Sequence, residues 1–323
     1  TAPDGRPIYN QSESQFKTTK FGLYNVGGAQ REVVSFSLSK LFNDGDSSLT
    51  FGYTHQNIDM ICSMQSSTSH SNYGKCPASD FNNRVATRSI YETEHRFFAT
   101  LSSTHYFFGA DKPTTFNLFL ERKSGLPGTL TFDTYSSPGR YKTQAFGYER
   151  RVNDDSAHLL YIPSGLDDPL VCWVSCSNPN NAVGSEILNL LYNTYGLERF
   201  KGRILPPGVF EFPWQTSLDL KITQILPGFR DDDGFVVTLG IENLLNLIDD
   251  EEGVIRYGDY TGKIDVFDFQ LTSDYSKYIF GNSRGADYAF RYNPSNPYEL
   301  RKSAVNSIWR AQLGVTYKFS LSF

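Results

Sequence analysis

The chain has 323 residues, a formal net charge of -5, 39% hydrophobic residues and 15% aromatic residues. The mild negative charge argues against a nucleic-acid partner, which favours a basic patch, and no run reaches the ~18 apolar residues of a membrane-spanning helix. A modest apolar share with many aromatics fits strands that alternate apolar with polar residues and carry aromatic belts.

Val34, Phe36 and Leu38 alternate with Ser35, Ser37 and Ser39, which predicts a strand near 31–42. A period of two gives a strand one greasy face. Asn43-Asp44-Gly45-Asp46 has the chemistry of a short turn. Leu49, Phe51 and Tyr53 then alternate with Thr50, Gly52 and Thr54 in a strand near 47–61. A long polar stretch follows, before strands near 93–108 and 114–124 that are joined by the turn Gly109-Ala110-Asp111-Lys112-Pro113.

Residues 125–212 lack clean alternation and are rich in Gly, Pro, Asn, Asp and Tyr. They read as a long loop with one short helix, capped by Ser185, striped by Ile187, Leu188, Leu190 and Leu191, and stopped at Gly196. The pattern resumes at Thr216, Leu218, Leu220 and Ile222, turns at Pro227–Gly234, and continues through Val237, Leu239 and Ile241. A second long loop spans about 245–303. From Trp309 to Phe323 every odd position is apolar or aromatic and every even one is polar, charged or Gly.

The connections thus alternate short and long, as in outer-membrane barrels with short periplasmic turns and long extracellular loops. The expected fold class is all-β, a transmembrane antiparallel β-barrel segment. Seven strands cannot close with every neighbour antiparallel, and single-chain bacterial barrels have even counts. The chain therefore reads as the C-terminal portion of a larger barrel.

Four cysteines form two local pairs, Cys62/Cys76 and Cys172/Cys176. Disulfides in an oxidising compartment are the first reading. Free thiols and a metal site with His70 are the alternatives, the latter weak because Cys-x3-Cys without a second pair is a poor zinc pattern.

Strand parity puts Arg96, Glu121, Asp219, Lys221, Glu242 and Arg310 on the polar, lumen-facing side, where an ordinary wet wall competes with a substrate path. Tyr135, Tyr141, Tyr148, Trp173, Tyr257 and Tyr260 read as outer-loop aromatics, either a ligand platform or loop packing. The acidic runs Asp231–Asp233 and Asp249–Glu252 lack calcium-loop spacing. His55, His70, His95, His105 and His158 are scattered and no catalytic motif appears. No enzymatic activity, cofactor or metal is expected.

Several segments, in order, resemble Oar-like TonB-dependent outer-membrane receptors: Ser37-Leu38-Ser39-Lys40, Phe51-Gly52-Tyr53-Thr54, Ser71-Asn72-Tyr73-Gly74, Glu94-His95-Arg96-Phe97, His158–Gly165 and Tyr195–Gly202. Ile241-Glu242-Asn243-Leu244-Leu245-Asn246 is similar to the asparagine-containing block near the end of many such receptors. The resemblance spans almost the whole chain, and the order of the motifs is more specific than any one of them. It implies a barrel of roughly 22 strands with a plugged lumen, of which residues 1–323 supply about seven C-terminal strands. The plug and the earlier strands would lie on an upstream polypeptide, TonB would act through that plug, and the barrel-assembly machinery would read Phe323. It implies outer-membrane lipid as a partner, a Gram-negative outer membrane as the location, and energy-coupled uptake or export. A surface display protein or adhesin, or a passive porin, is the alternative.

Overall fold

The computed structural model describes residues 4–7, 22, 24–62, 67, 72, 76–133, 158–173, 178–230, 232–257, 263–268, 290–292 and 301–319. Antiparallel sheet dominates. Seven long strands pair in chain order: β1 (Gln30–Phe42), β2 (Ser47–Met60), β3 (His95–His105), β4 (Thr114–Lys123), β5 (Gln215–Pro227), β6 (Gly234–Glu242) and β7 (Arg310–Lys318). Every pairing between them is antiparallel. A two-residue strand, Thr87–Arg88, extends the sheet against the end of β2. Among the described residues β1 pairs only with β2 along its length, and β7 only with β6, so the sheet is open at both edges.

The β1–β2 turn is tight because its residues accept left-handed backbone: φ is 50° at Asn43, 52° at Asp44 and 102° at Gly45. Asn, Asp and Gly are the residue types that tolerate this region. The register then fixes two faces. Leu49, Leu101, Leu118, Leu220, Ile241 and Ala311 form one continuous cross-strand row from β2 to β7. A one-residue slip at any pairing would move that strand's apolar set to the other side. One aromatic on the opposite, polar face is explained by its partner. Phe98 lies over Gly52 so closely that a Cβ there would stand 2.2 Å from the Phe98 ring.

No helix among the described residues is long and apolar enough to cross a membrane. Among them, the fully buried apolar side chains all lie outside the seven strands. Most belong to the insertion between β4 and β5, where Leu130, Leu160, Ile162, Trp173, Leu191 and Leu197 pack together. Short strands frame this core. Pro127–Asp133 pairs with Phe210–Glu211 and, in parallel, with Lys263–Asp268. Tyr161–Ile162 pairs with Arg203–Ile204, and Val171–Trp173 runs parallel to Phe290–Tyr292. The insertion is thus a folded unit rather than the long loop expected from its sequence.

Its helix, α1 (Asn181–Asn189), begins earlier than the sequence suggested. Asn180 is the cap, its Oδ1 accepting from the Val183 N–H at 3.4 Å. Ser185 sits inside the helix, donating to the Asn181 carbonyl. A π-turn over Leu190–Thr194 continues it, and Gly196, at φ 67°, ends it.

Candidate functional site

The polar face carries all six residues placed there by strand parity. The pairings of β3 with β4, β4 with β5, β5 with β6 and β6 with β7 bring Arg96, Glu121, Asp219, Lys221, Glu242 and Arg310 to one side. Arg96 Nη2 lies 2.6 Å from Glu121 Oε1, and Lys123 Nζ lies 3.4 Å from Glu121 Oε2. Arg310 Nε and Glu242 Oε2 pair across strands at 3.1 Å. Solvated pairs like these contribute at most about 1 kcal/mol each, so they set the character of the wall more than its stability. A trough of about 710 Å³ runs along this side, with Thr100, Asn117, Asp219, Lys221, Glu242 and Gln312 in its lining. The sheet is therefore hollowed toward its polar face.

Asp219 does more than line the trough. Its Oδ1 accepts the Asn243 N–H at 2.8 Å. Asn243 follows β6 with φ at 55° and is buried. Its Nδ2 donates to the Gly253 carbonyl at 3.0 Å and to the Ser307 carbonyl at 2.8 Å. Gly253 is held at φ 62°, and a Cβ on it would sit 2.1 Å from Asn243 Oδ1. Ser307 Oγ in turn accepts the Ile255 N–H at 2.9 Å. The asparagine block is thus a clasp that joins the end of β6 to the approach of β7. The acidic run after it is a bonded turn, with the Glu251 N–H on Asp249 Oδ1.

The opposite face is apolar, and no described residue covers it. Phe36, Leu38, Leu313 and Val315 are each more than half exposed. Aromatics bound it at both rims. Tyr53, Phe97 and Trp214 stack toward the long insertions. Phe229, Phe235 and Tyr317 cluster toward the short turns, as do Phe107 and Phe116. A contiguous apolar surface of this extent marks contact with a membrane or another protein.

At the long-insertion rim the register assembles a polar cluster that sequence reasoning missed. His55 and His95 are directly opposite on β2 and β3, their rings 5.1 Å apart. Glu94 precedes His95, and its Oε1 lies 3.3 Å from His95 Nε2. Arg88 binds Glu92 at 2.5 Å, Glu94 at 2.6 Å and Glu211 at 2.7 Å. Burial works against the Arg88 charge, but the hydrogen bonds it donates to Glu92 and Glu211, with the charges of those carboxylates, outweigh it and raise its pKa. The only sequence signal was the Glu-His dipeptide; the second histidine arrives through pairing.

The insertion is knotted around Asp168. Its Oδ2 accepts from the Tyr161 hydroxyl at 3.0 Å, the Ser164 N–H at 2.6 Å and the Ser164 hydroxyl at 2.9 Å. Burial, then the Asp168 charge, raises the Tyr161 pKa. Burial also pushes Tyr192 up to about 12, and its hydroxyl donates to the Pro163 carbonyl.

Trp173, read from sequence as a loop aromatic available to a ligand, is 1% exposed. Its Nε1 donates to the Leu166 carbonyl at 2.8 Å, and Gly184 of α1 packs on its ring. It is a core residue of the insertion. Tyr257 lies in a short strand, Arg256–Tyr257, paired with Arg301–Lys302. Tyr135, Tyr141, Tyr148, Tyr260, Cys176 and Phe323 lie outside the described residues. Cys62 and Cys76 form a disulfide, with Cα atoms 5.7 Å apart. Cys172 is disulfide-bonded as well.

No family model, curated protein or solved structure matches this chain.

Proposed function

We propose that this chain is a section of the wall of an outer-membrane β-barrel, and that the barrel is a TonB-dependent receptor. The carrying observation is the meander of consecutive antiparallel strands with an exposed aliphatic band, aromatic rims and a hollowed polar face. The strands run from 9 to 14 residues. A tilted strand needs about 9–11 residues to cross a bilayer. In this reading the apolar face meets lipid, the trough is part of the lumen, and the long insertions lie outside. The disulfides fit an oxidising compartment. The open edges of β1 and β7 are where further wall strands pair, since unpaired edge groups are not tolerated inside a membrane. Energy coupling rests on the resemblance in sequence to Oar-like receptors, whose plug would come from an upstream polypeptide.

The folded insertion favours one second reading. A loop with its own core is a built display unit, as an adhesin or surface protein would carry. Mass spectrometry on the unheated complex purified from membranes separates the two. The receptor reading expects a companion polypeptide, or a longer form of this chain, carrying a plug and a TonB-contacting segment. A membrane-embedded complex without any plug overturns energy coupling and leaves display as the account.

A further inference from the structure

We infer that His55, Glu94 and His95 form a binding site for a divalent transition-metal ion, with zinc as the natural probe. One ligand atom from each residue falls within 4.8 Å of the others. Tetrahedral zinc ligands at about 2 Å stand roughly 3.3 Å apart. His95 Nε2 and Glu94 Oε1 already have that separation, at 3.3 Å. His55 then needs only a side-chain adjustment to complete three ligands, and all three residues are half-buried, which leaves room for a water in the fourth position.

The surroundings orient the ligands. His55 Nδ1 faces the Glu94 carbonyl at 3.1 Å, and His95 Nδ1 faces the Tyr53 hydroxyl at 2.9 Å. In metal sites an imidazole commonly donates its second N–H to a carbonyl or similar group, which fixes the tautomer. Here that leaves Nε2 of both rings for the ion. Trp214 stacks on His95 with ring planes 7° apart and limits its rotation. Charge also favours a cation. Glu92, Glu94 and Glu211 carry three negative charges around Arg88, and a second cation at this rim, Arg122, lies over the Trp214 ring at 5.5 Å, so these groups together keep one net negative charge. Arg88 holds the other oxygen of Glu94, Oε2, and so leaves Oε1 for the ion. None of this depends on whether the sheet lies in a membrane.

The test is zinc binding to the full chain in detergent, followed by calorimetry. The expected result is one zinc ion per chain at this site. His55→Ala and His95→Ala should each weaken it by more than about 100-fold, beyond the range typical of outer-shell changes, and Tyr53→Phe by about 10-fold. Because both histidines sit in paired strands, the unsubstituted chain provides a check independent of folding. Loaded with cobalt, it should show the intense visible absorption of a tetrahedral nitrogen–oxygen site. A wild-type chain that takes up no zinc, a cobalt spectrum like that of the aqueous ion, or undiminished binding in folded His55→Ala/His95→Ala would overturn the assignment.

Discussion

Asn243 shows how much one side chain can hold. It satisfies two backbone carbonyls, at Gly253 and Ser307, while its own N–H is taken by Asp219. Replacing it with Ala orphans two buried acceptors, at a cost of roughly 1–3 kcal/mol each when uncompensated. Asn243→Ala should therefore lower stability by about 2–6 kcal/mol in urea unfolding from detergent. A midpoint unchanged from wild type would refute the clasp. The sequence showed Asn243 only as part of a recognisable block, and its partners, 10 and 64 residues away, carry no local signal. The same holds for the His55–His95 pair, which exists only once the strand register is known. Trp173 failed in the other direction: a tryptophan amid Gly, Pro and Asn looked like a loop residue, whereas segments distant in sequence bury it.

At the scale of elements, strands on a half-polar sheet were legible because each must alternate. The row through Leu118, Leu220 and Ile241 and the polar residues beside it follow directly from parity. Leu220→Arg should cost ~2–4 kcal/mol if this row lies near the midplane, whereas lumen-facing positions tolerate charge and polarity. Lys221→Ala, on the exposed polar side, should be nearly neutral. Equal costs in folding titrations into lipid vesicles would contradict the assignment of faces. The insertion between β4 and β5 was illegible for the opposite reason. Its strands are two or three residues long in several places, and one partner, Lys263–Asp268, comes from beyond β6. No period develops over so few residues. Its tyrosines give it a distinct alkaline response. Tyr192 is raised from 10.0 to about 12, and Tyr161 is raised too. A raised tyrosine favours the neutral form in the folded state. Its stabilisation is whole below pH 10.0 and lost as pH climbs toward about 12. Near-ultraviolet absorbance should show these phenols ionising later than exposed tyrosines, with insertion packing lost in that interval. Ionisation of every tyrosine at the ordinary pH would contradict the burial described.

Taken whole, the molecule has an inverted arrangement of grease. Among the described residues the buried apolar core belongs mostly to an insertion, while the largest sheet leaves its apolar side exposed and its two edges unpaired. An exposed, unpaired edge beside a bare apolar face invites aggregation in water, and in the proposed reading lipid covers the face and further strands cover the edges. That is the central claim, and the most direct measurement is residue-by-residue contact with lipid. Fluorescent probes placed singly at Thr216, Ser217, Leu218, Leu220, Lys221, Ile222 and Thr223 would be exposed to lipids brominated along their chains. The account expects quenching at Leu218, Leu220 and Ile222 and little at Ser217, Lys221 and Thr223, with Thr216 weaker because it lies near the rim. Uniform quenching, or none at any position, would contradict a strand with one face in lipid and the other in a polar interior.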